Sequence, residues 1–142
     1  MKRRRSSQKG AAAVEFAIVL LPLILILFGV IEFGLFMYNK QVITNASREG
    51  ARYGIVYHSA VEPHYISTGE IEQKAKDYYD KYMITFKTVP QEDPQVLTTC
   101  QAMGDPLTVK VTYKYSFLVI PNFILGIGQY VPITAQTVMR CE

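Results

Sequence analysis

Residues 16 to 31 carry no charged side chain. Widening the window to 11–38 gives 28 residues in which Glu15 and Glu32 are the only charges. As an α-helix, at about 1.5 Å per residue, that is roughly 40 Å, enough to cross the hydrocarbon core of a bilayer. Pro22 falls inside the run, where a membrane helix is expected to kink rather than end. About a hundred residues remain for a water-facing part, enough for one modest core.

Charge is distributed unevenly around this run. Residues 1–10 hold Lys2, Arg3, Arg4, Arg5 and Lys9, five of the fifteen basic side chains, and no acid. The other ten basic residues face twelve acids, so the remainder is net −2 although the whole chain is +3. A basic tail beside an apolar run marks the cytoplasmic side of a membrane. The chain as a whole is not a basic nucleic-acid binder. A cleaved secretory signal shares the basic head, but this apolar region is too long and no A-x-A site follows it.

Glu15 is the residue a plain anchor does not explain. A carboxylate deep in a bilayer costs about 2.5–3.5 kcal/mol on insertion scales. In one reading it snorkels to the headgroups of a permanently anchored protein. In the other the chain is cut after Gly10, Ala11 becomes a new amino terminus and Glu15 the fifth residue. That amine is cationic at neutral pH. Glu15 of one subunit then pairs with the amine of a neighbour. Such a pair is costly to break by removing one partner, so it acts as a register device. Glu32, about 25 Å further along the helix, is either an interfacial acid at the end of the span or a contact to a partner helix.

The order of basic head, Gly10, small residues, Glu15, Phe16 and apolar helix resembles a type IV prepilin signal of the Flp type. AAVEFAIVLLPLILILFGVIEFG, then NASREGARYG, then ITAQTVMR near the other end, resembles the TadE-like family, minor pseudopilins of the tight-adherence (Flp) pilus machinery. The resemblance implies a structural protein and a prepilin peptidase that cuts between Gly10 and Ala11. It also implies other pilins and pseudopilins, an inner-membrane assembly platform and a separate ATPase as partners, and a role in adhesion. Phe16 stands where major Flp pilins usually have tyrosine, which points to a minor component. The implied location is the bacterial inner membrane, single-pass, with the C-terminal part outside the cytoplasm.

The expected division is a leader at 1–10, a span at 11–38 and a head at 39–142 that includes a helical stalk at 39–57. The fold class is α+β and pilin-like: one long helix packed on a small antiparallel sheet with one further helix. Val42, Ala46, Gly50, Tyr53 and Tyr57 recur at helical spacing, whereas Asn45, Ser47, Arg48, Glu49 and Arg52 mostly lie elsewhere. Ala46, Gly50 and Gly54 form a row of small residues that lets backbones approach closely. It faces either another subunit's helix or the chain's own sheet. Ser67 with Glu70 is a capping-box signature. The helix it opens has Ile71, Ala75, Tyr78 and Tyr82 as its apolar stripe.

Period-two alternation from Leu107 to Phe117 predicts an antiparallel strand over a core. A short strand at about 96–101 precedes it across the turn Gly104-Asp105-Pro106, and a last strand covers 133–140. If the last strand runs antiparallel to 107–117, Cys141 comes near Cys100. In an oxidising compartment these two form a disulfide rather than a metal site. The segment NFILGIGQYV, 122–131, either covers the core or is an exposed patch for a partner or the membrane surface.

The sequence carries no HExxH, CxxC, P-loop or GxGxxG pattern. His58 and His64, with Glu62 between them, read as surface histidines rather than metal ligands. No cofactor, metal, nucleic acid or small-molecule substrate is expected, and membrane lipid is. The function classes left are a pseudopilin, an uncleaved anchored binding module and, with no residue pattern behind it, an anchored enzyme.

Overall fold

The computed structural model describes residues 7–56, 66–86, 90–118 and 130–142. Its elements in order are α1 (Ser7–Gly54), α2 (Thr68–Tyr82), β1 (Gln95–Thr98), β2 (Pro106–Tyr115) and β3 (Val131–Arg140). This is the expected α+β class. The chain divides into two compact units, Met1–Gly34 and Leu35–Glu142. The second begins four residues before the stalk boundary expected from composition, because Phe36 already packs edge-on against Tyr115 at 5.5 Å.

The first unit is helix. Among the described residues α1 is the one helix long and apolar enough to cross a membrane, with a mean hydropathy of 2.9 over its best 18-residue window. The helix continues through Pro22.

In the second unit the remainder of α1 and all of α2 pack with a three-stranded sheet of order β1-β2-β3. Both pairings are antiparallel, and β2 and β3 match from Pro106↔Arg140 to Tyr115↔Val131. Along β2 the inward row is reproduced, with Leu107, Val109, Val111, Tyr113 and Tyr115 all buried, but Thr108 on the other face is buried too, and the strand ends at Tyr115, two residues short of Phe117. β1 is shorter than expected, four residues with a register shift between Val96 and Thr98.

α2 starts at the capping box. The amide of Glu70 donates to Ser67 Oγ at 3.4 Å, and the amide of Ser67 donates to the Glu70 carboxylate at 3.3 Å. Its buried residues are Ile71, Ala75 and Tyr79. The expected stripe is therefore corrected at its second half, where Tyr79 goes in, Tyr78 is half-buried and Tyr82 is exposed. The row 71-75-79 keeps strict four-residue spacing, and the tyrosines on either side fall off it.

The expected wet side of the stalk is also corrected. Ser47 is fully buried. Its Oγ donates to the Thr44 carbonyl at 2.9 Å and shares a 2.7 Å hydrogen bond with Thr137 Oγ1. Ile43 and Ala51 are buried beside it, and Tyr53 is only half-buried. The face is broader than a single stripe because α1 meets both a helix and a sheet. Readings that fall on residues 1–6, 57–65, 87–89 and 119–129 lie outside the described residues. They include the leader's basic cluster, Tyr57, His58, Glu62, His64 and most of the 122–131 segment.

Candidate functional site

Residues 10–34 of α1 present apolar side chains on every side. Val14, Phe16, Ile18, Leu21, Leu25 and Val30 are each at least 60% exposed. A helix that is apolar all round has no stable place in water by itself; it needs lipid or other helices. Gly10 has no atom within 4 Å of where a Cβ would stand. Ala11 and Glu15 are both exposed and lie one helical turn apart, on the same face. The structure thus brings Gly10, Ala11, Glu15 and Phe16 together on the first exposed turns. Glu32 behaves differently. It is the one buried residue among 10–34, at 3% exposure.

Ala46, Gly50 and Gly54 lie inside the second unit. A Cβ on Gly50 would be 3.0 Å from Ala75 Cβ and 3.3 Å from the Ile71 carbonyl. A Cβ on Gly54 would be 2.6 Å from both Ile71 Cδ1 and Leu107 Cδ2. Ala46 is fully buried in the cluster that holds Ala75 and Val111. The small-residue row is occupied by the chain's own α2 and β2.

Cys100 and Cys141 form a disulfide with Cα atoms 5.8 Å apart, closing a sequence separation of 41. The β2–β3 register sets this up by placing Arg140 opposite Pro106. The turn before β2 then clasps the last residues. The amide of Cys141 donates to the Asp105 carbonyl at 2.9 Å, and the amide of Gly104 donates to the Cys141 carbonyl at 2.8 Å. Gly104 takes φ of +90°, open to glycine at little cost.

Asn39 is a residue the sequence reading missed. It is fully buried. Its Nδ2 donates to the Ile84 carbonyl at 2.9 Å and its Oδ1 accepts from the Ile84 amide at 3.2 Å. The available signal was its spacing, since Asn39, Ile43, Ala46 and Gly50 follow three- and four-residue steps.

Burial pushes the Tyr79 and Tyr113 phenols above their ordinary value. Lys76 is raised by its hydrogen bond to Asp93 and then by that carboxylate's charge. Among the described residues no group of three or more His, Cys, Asp or Glu side chains could hold a metal ion.

Residues 10–52 match the family model described as TadE-like protein. No curated protein and no solved structure matches the chain. The matched stretch opens at Gly10, contains Glu15 and Phe16, and runs through the span to Arg52, so it covers the N-terminal part of the resemblance read in the sequence and not the ITAQTVMR segment near the other end. The N-terminal helix of this chain is thus similar to that of the TadE-like family, a likeness that points to a membrane-anchored component associated with the Tad pilus.

Proposed function

We propose that the protein is a minor pseudopilin of the tight-adherence pilus, cleaved between Gly10 and Ala11 by a prepilin peptidase and assembled through its N-terminal helix. The observation that carries this reading is the all-round apolar exposure of residues 10–34 of α1, which starts where the TadE-like match starts and has Ala11 and Glu15 one turn apart at its beginning. The five leader cations hold the N-terminus in the cytoplasm. The head then faces the other side, and its disulfide supports a location outside the reducing cytoplasm.

Cleavage has two physical consequences. It removes five cations that oppose withdrawal of the helix through the bilayer. It also exposes the Ala11 amine, to which a neighbour's Glu15 can pair as apolar helix faces come together. The scissile bond lies within α1. The peptidase must therefore unwind the first turns, and Gly10, about 1 kcal/mol worse than alanine in a helix, makes that easier. Other pilins, an inner-membrane assembly platform and lipid are the partners of such a subunit.

The test is the intact mass and N-terminal peptide of the protein isolated from membranes of its own host. A start at Ala11 is expected. A start at Met1 in cells with an active peptidase would overturn the pseudopilin reading and leave an uncleaved anchored binding module.

A further inference from the structure

The end of the second unit at which the chain enters carries exposed apolar side chains held at one level. Tyr38 is 43% exposed and Tyr82 42%, with Ile84 at 39% and Phe86 at 53%. Two links fix Tyr38, Tyr82 and Ile84, and Phe86 follows Ile84 by two residues. The Tyr38 hydroxyl donates to the Tyr82 carbonyl at 2.9 Å. The buried Asn39 amide holds both the amide and the carbonyl of Ile84. The stretch after α2 is thereby tied to the first turns of α1 within this unit. Met83 packs towards the core, while Ile84 and Phe86 are left outside it.

Single exposed apolar residues are ordinary on a protein surface. Their common level is what matters here. Phe36 on Tyr115 identifies this as the Tyr115–Val131 end of the sheet. The disulfide and Gly104 sit at the other, Pro106–Arg140 end. Tyr38 follows Gly34, the last residue of the apolar unit, by four residues in the chain. The patch is thus continuous along the chain with the segment read as spanning the membrane.

We infer that Tyr38, Tyr82, Ile84 and Phe86 form a membrane-interface collar that seats the head on the outer surface of the bilayer. The inference rests on the reading of α1 as a membrane span. The chemistry fits: tyrosine rings with a polar hydroxyl concentrate at the headgroup level, and Ile84 and Phe86 supply the apolar surface that enters the acyl boundary. Lys81, with its ammonium 5.3 Å from the Tyr82 ring, lies beside lipid phosphates in this arrangement. Withdrawal of the subunit from the membrane then breaks lipid contacts of the head as well as those of the helix.

The chain contains no tryptophan, so a single one introduced by substitution reports its own surroundings. The full-length protein is reconstituted in phosphatidylethanolamine–phosphatidylglycerol vesicles, with and without bromine high on the acyl chains. The Phe86→Trp protein is expected to emit to the blue and to lose intensity in brominated lipid. The Met103→Trp protein, at an 82% exposed turn residue of the far end, is expected to do neither. Equal, unquenched emission from both overturns the collar. A blue shift at position 86 without bromine quenching also overturns it, because protein rather than lipid then covers the patch. A Leu25→Trp protein in the same vesicles separates the two levels of the argument. If it is quenched while Phe86→Trp is not, only the collar fails. If it is not quenched either, the membrane span fails with it.

Discussion

Gly54 lies against Ile71 so closely that a Cβ built on it would stand 2.6 Å from Ile71 Cδ1, with Leu107 Cδ2 at the same distance on another side. Both neighbours are buried core residues, at 1% and 0% exposure, so neither side chain has free space to turn into. Gly54→Ala is therefore expected to destabilise the head by about 1–3 kcal/mol, the range for overpacking a filled core. Gly50→Ala is expected to cost less. Its Cβ meets Ala75 Cβ at 3.0 Å, and the helix-forming gain of alanine, up to about 1 kcal/mol, offsets part of the strain. Denaturant unfolding of the full chain in detergent, followed by tyrosine fluorescence, orders the two variants. Gly50→Ala proving the more harmful would mean that the two helices cannot separate by even a few tenths of an ångström.

The disulfide links the turn before β2 to the end of β3 across 41 positions of sequence. A loop of that size constrains the unfolded chain by roughly 4 kcal/mol on the chain-entropy model. Cys100→Ser with Cys141→Ser, or reduction of the native protein, is expected to lower head stability by about 2–5 kcal/mol. The far end should loosen first. Hydrogen exchange of the Cys141 and Gly104 amides, which hold the clasp, is the direct readout. Unchanged protection of these amides after reduction would show that the β2–β3 ladder alone holds the end together.

The sequence made some features legible because one physical rule governed them alone. The span follows from charge-free length, β2 from strict alternation, the start of α2 from Ser67 and Glu70. The proximity of the cysteines follows from antiparallel register once the strands are drawn. What it hid depends on partners far along the chain. Ser47 reads as polar and outward, but its hydroxyl is matched by Thr137, 90 residues away. Asn39 is buried because Ile84 offers it both a donor and an acceptor. Among Tyr78, Tyr79 and Tyr82, helical period alone cannot say which enters the core, because steps of three and four both keep a residue on a face. Glu15 stands out in the sequence because it is a carboxylate inside the apolar run, and the assembly role proposed for it rests on that contrast.

Burial of Tyr79 and Tyr113 makes the head sensitive to alkali. Burial raises the folded-state pKa of Tyr79 and Tyr113 above the ordinary value of 10.0. The unfolded chain therefore gives up these protons first. The stabilising difference is fully present below pH 10, and stability falls as pH rises from there through the folded-state values. Lys76 acts with the same sign above 10.5, since its partner Asp93 raises it in the folded state, but this pair is exposed and weak. Unfolding free energy measured from pH 8 to 11.5 is expected to be flat and then to drop beyond pH 10. Tyr79→Phe and Tyr113→Phe should each make the drop shallower. A drop of the same steepness in the double variant would assign it to other groups.

Glu15 is where the assembly reading is most exposed to experiment. Its carboxylate lies one turn from Ala11 and is exposed on a helix whose other surroundings are apolar. If its role is to meet the freed amine of a neighbour, then charge matters first and reach second. Glu15→Gln keeps the shape and removes the charge, and leaves the Ala11 amine of the next subunit without its partner in a low-dielectric setting, which is more costly than having neither. Glu15→Gln and Glu15→Ala are both expected to abolish recovery in sheared pilus fractions or in cross-linked complexes with other pilins. Processing after Gly10, membrane insertion and head stability should stay unchanged. Glu15→Asp should retain partial assembly, because the charge persists at a shorter reach. Under the alternative, in which Glu15 only snorkels to headgroups, removing its charge makes insertion easier and leaves every interaction with other subunits intact. Full assembly of Glu15→Ala would therefore sink the pairing mechanism, whatever the N-terminal sequence shows.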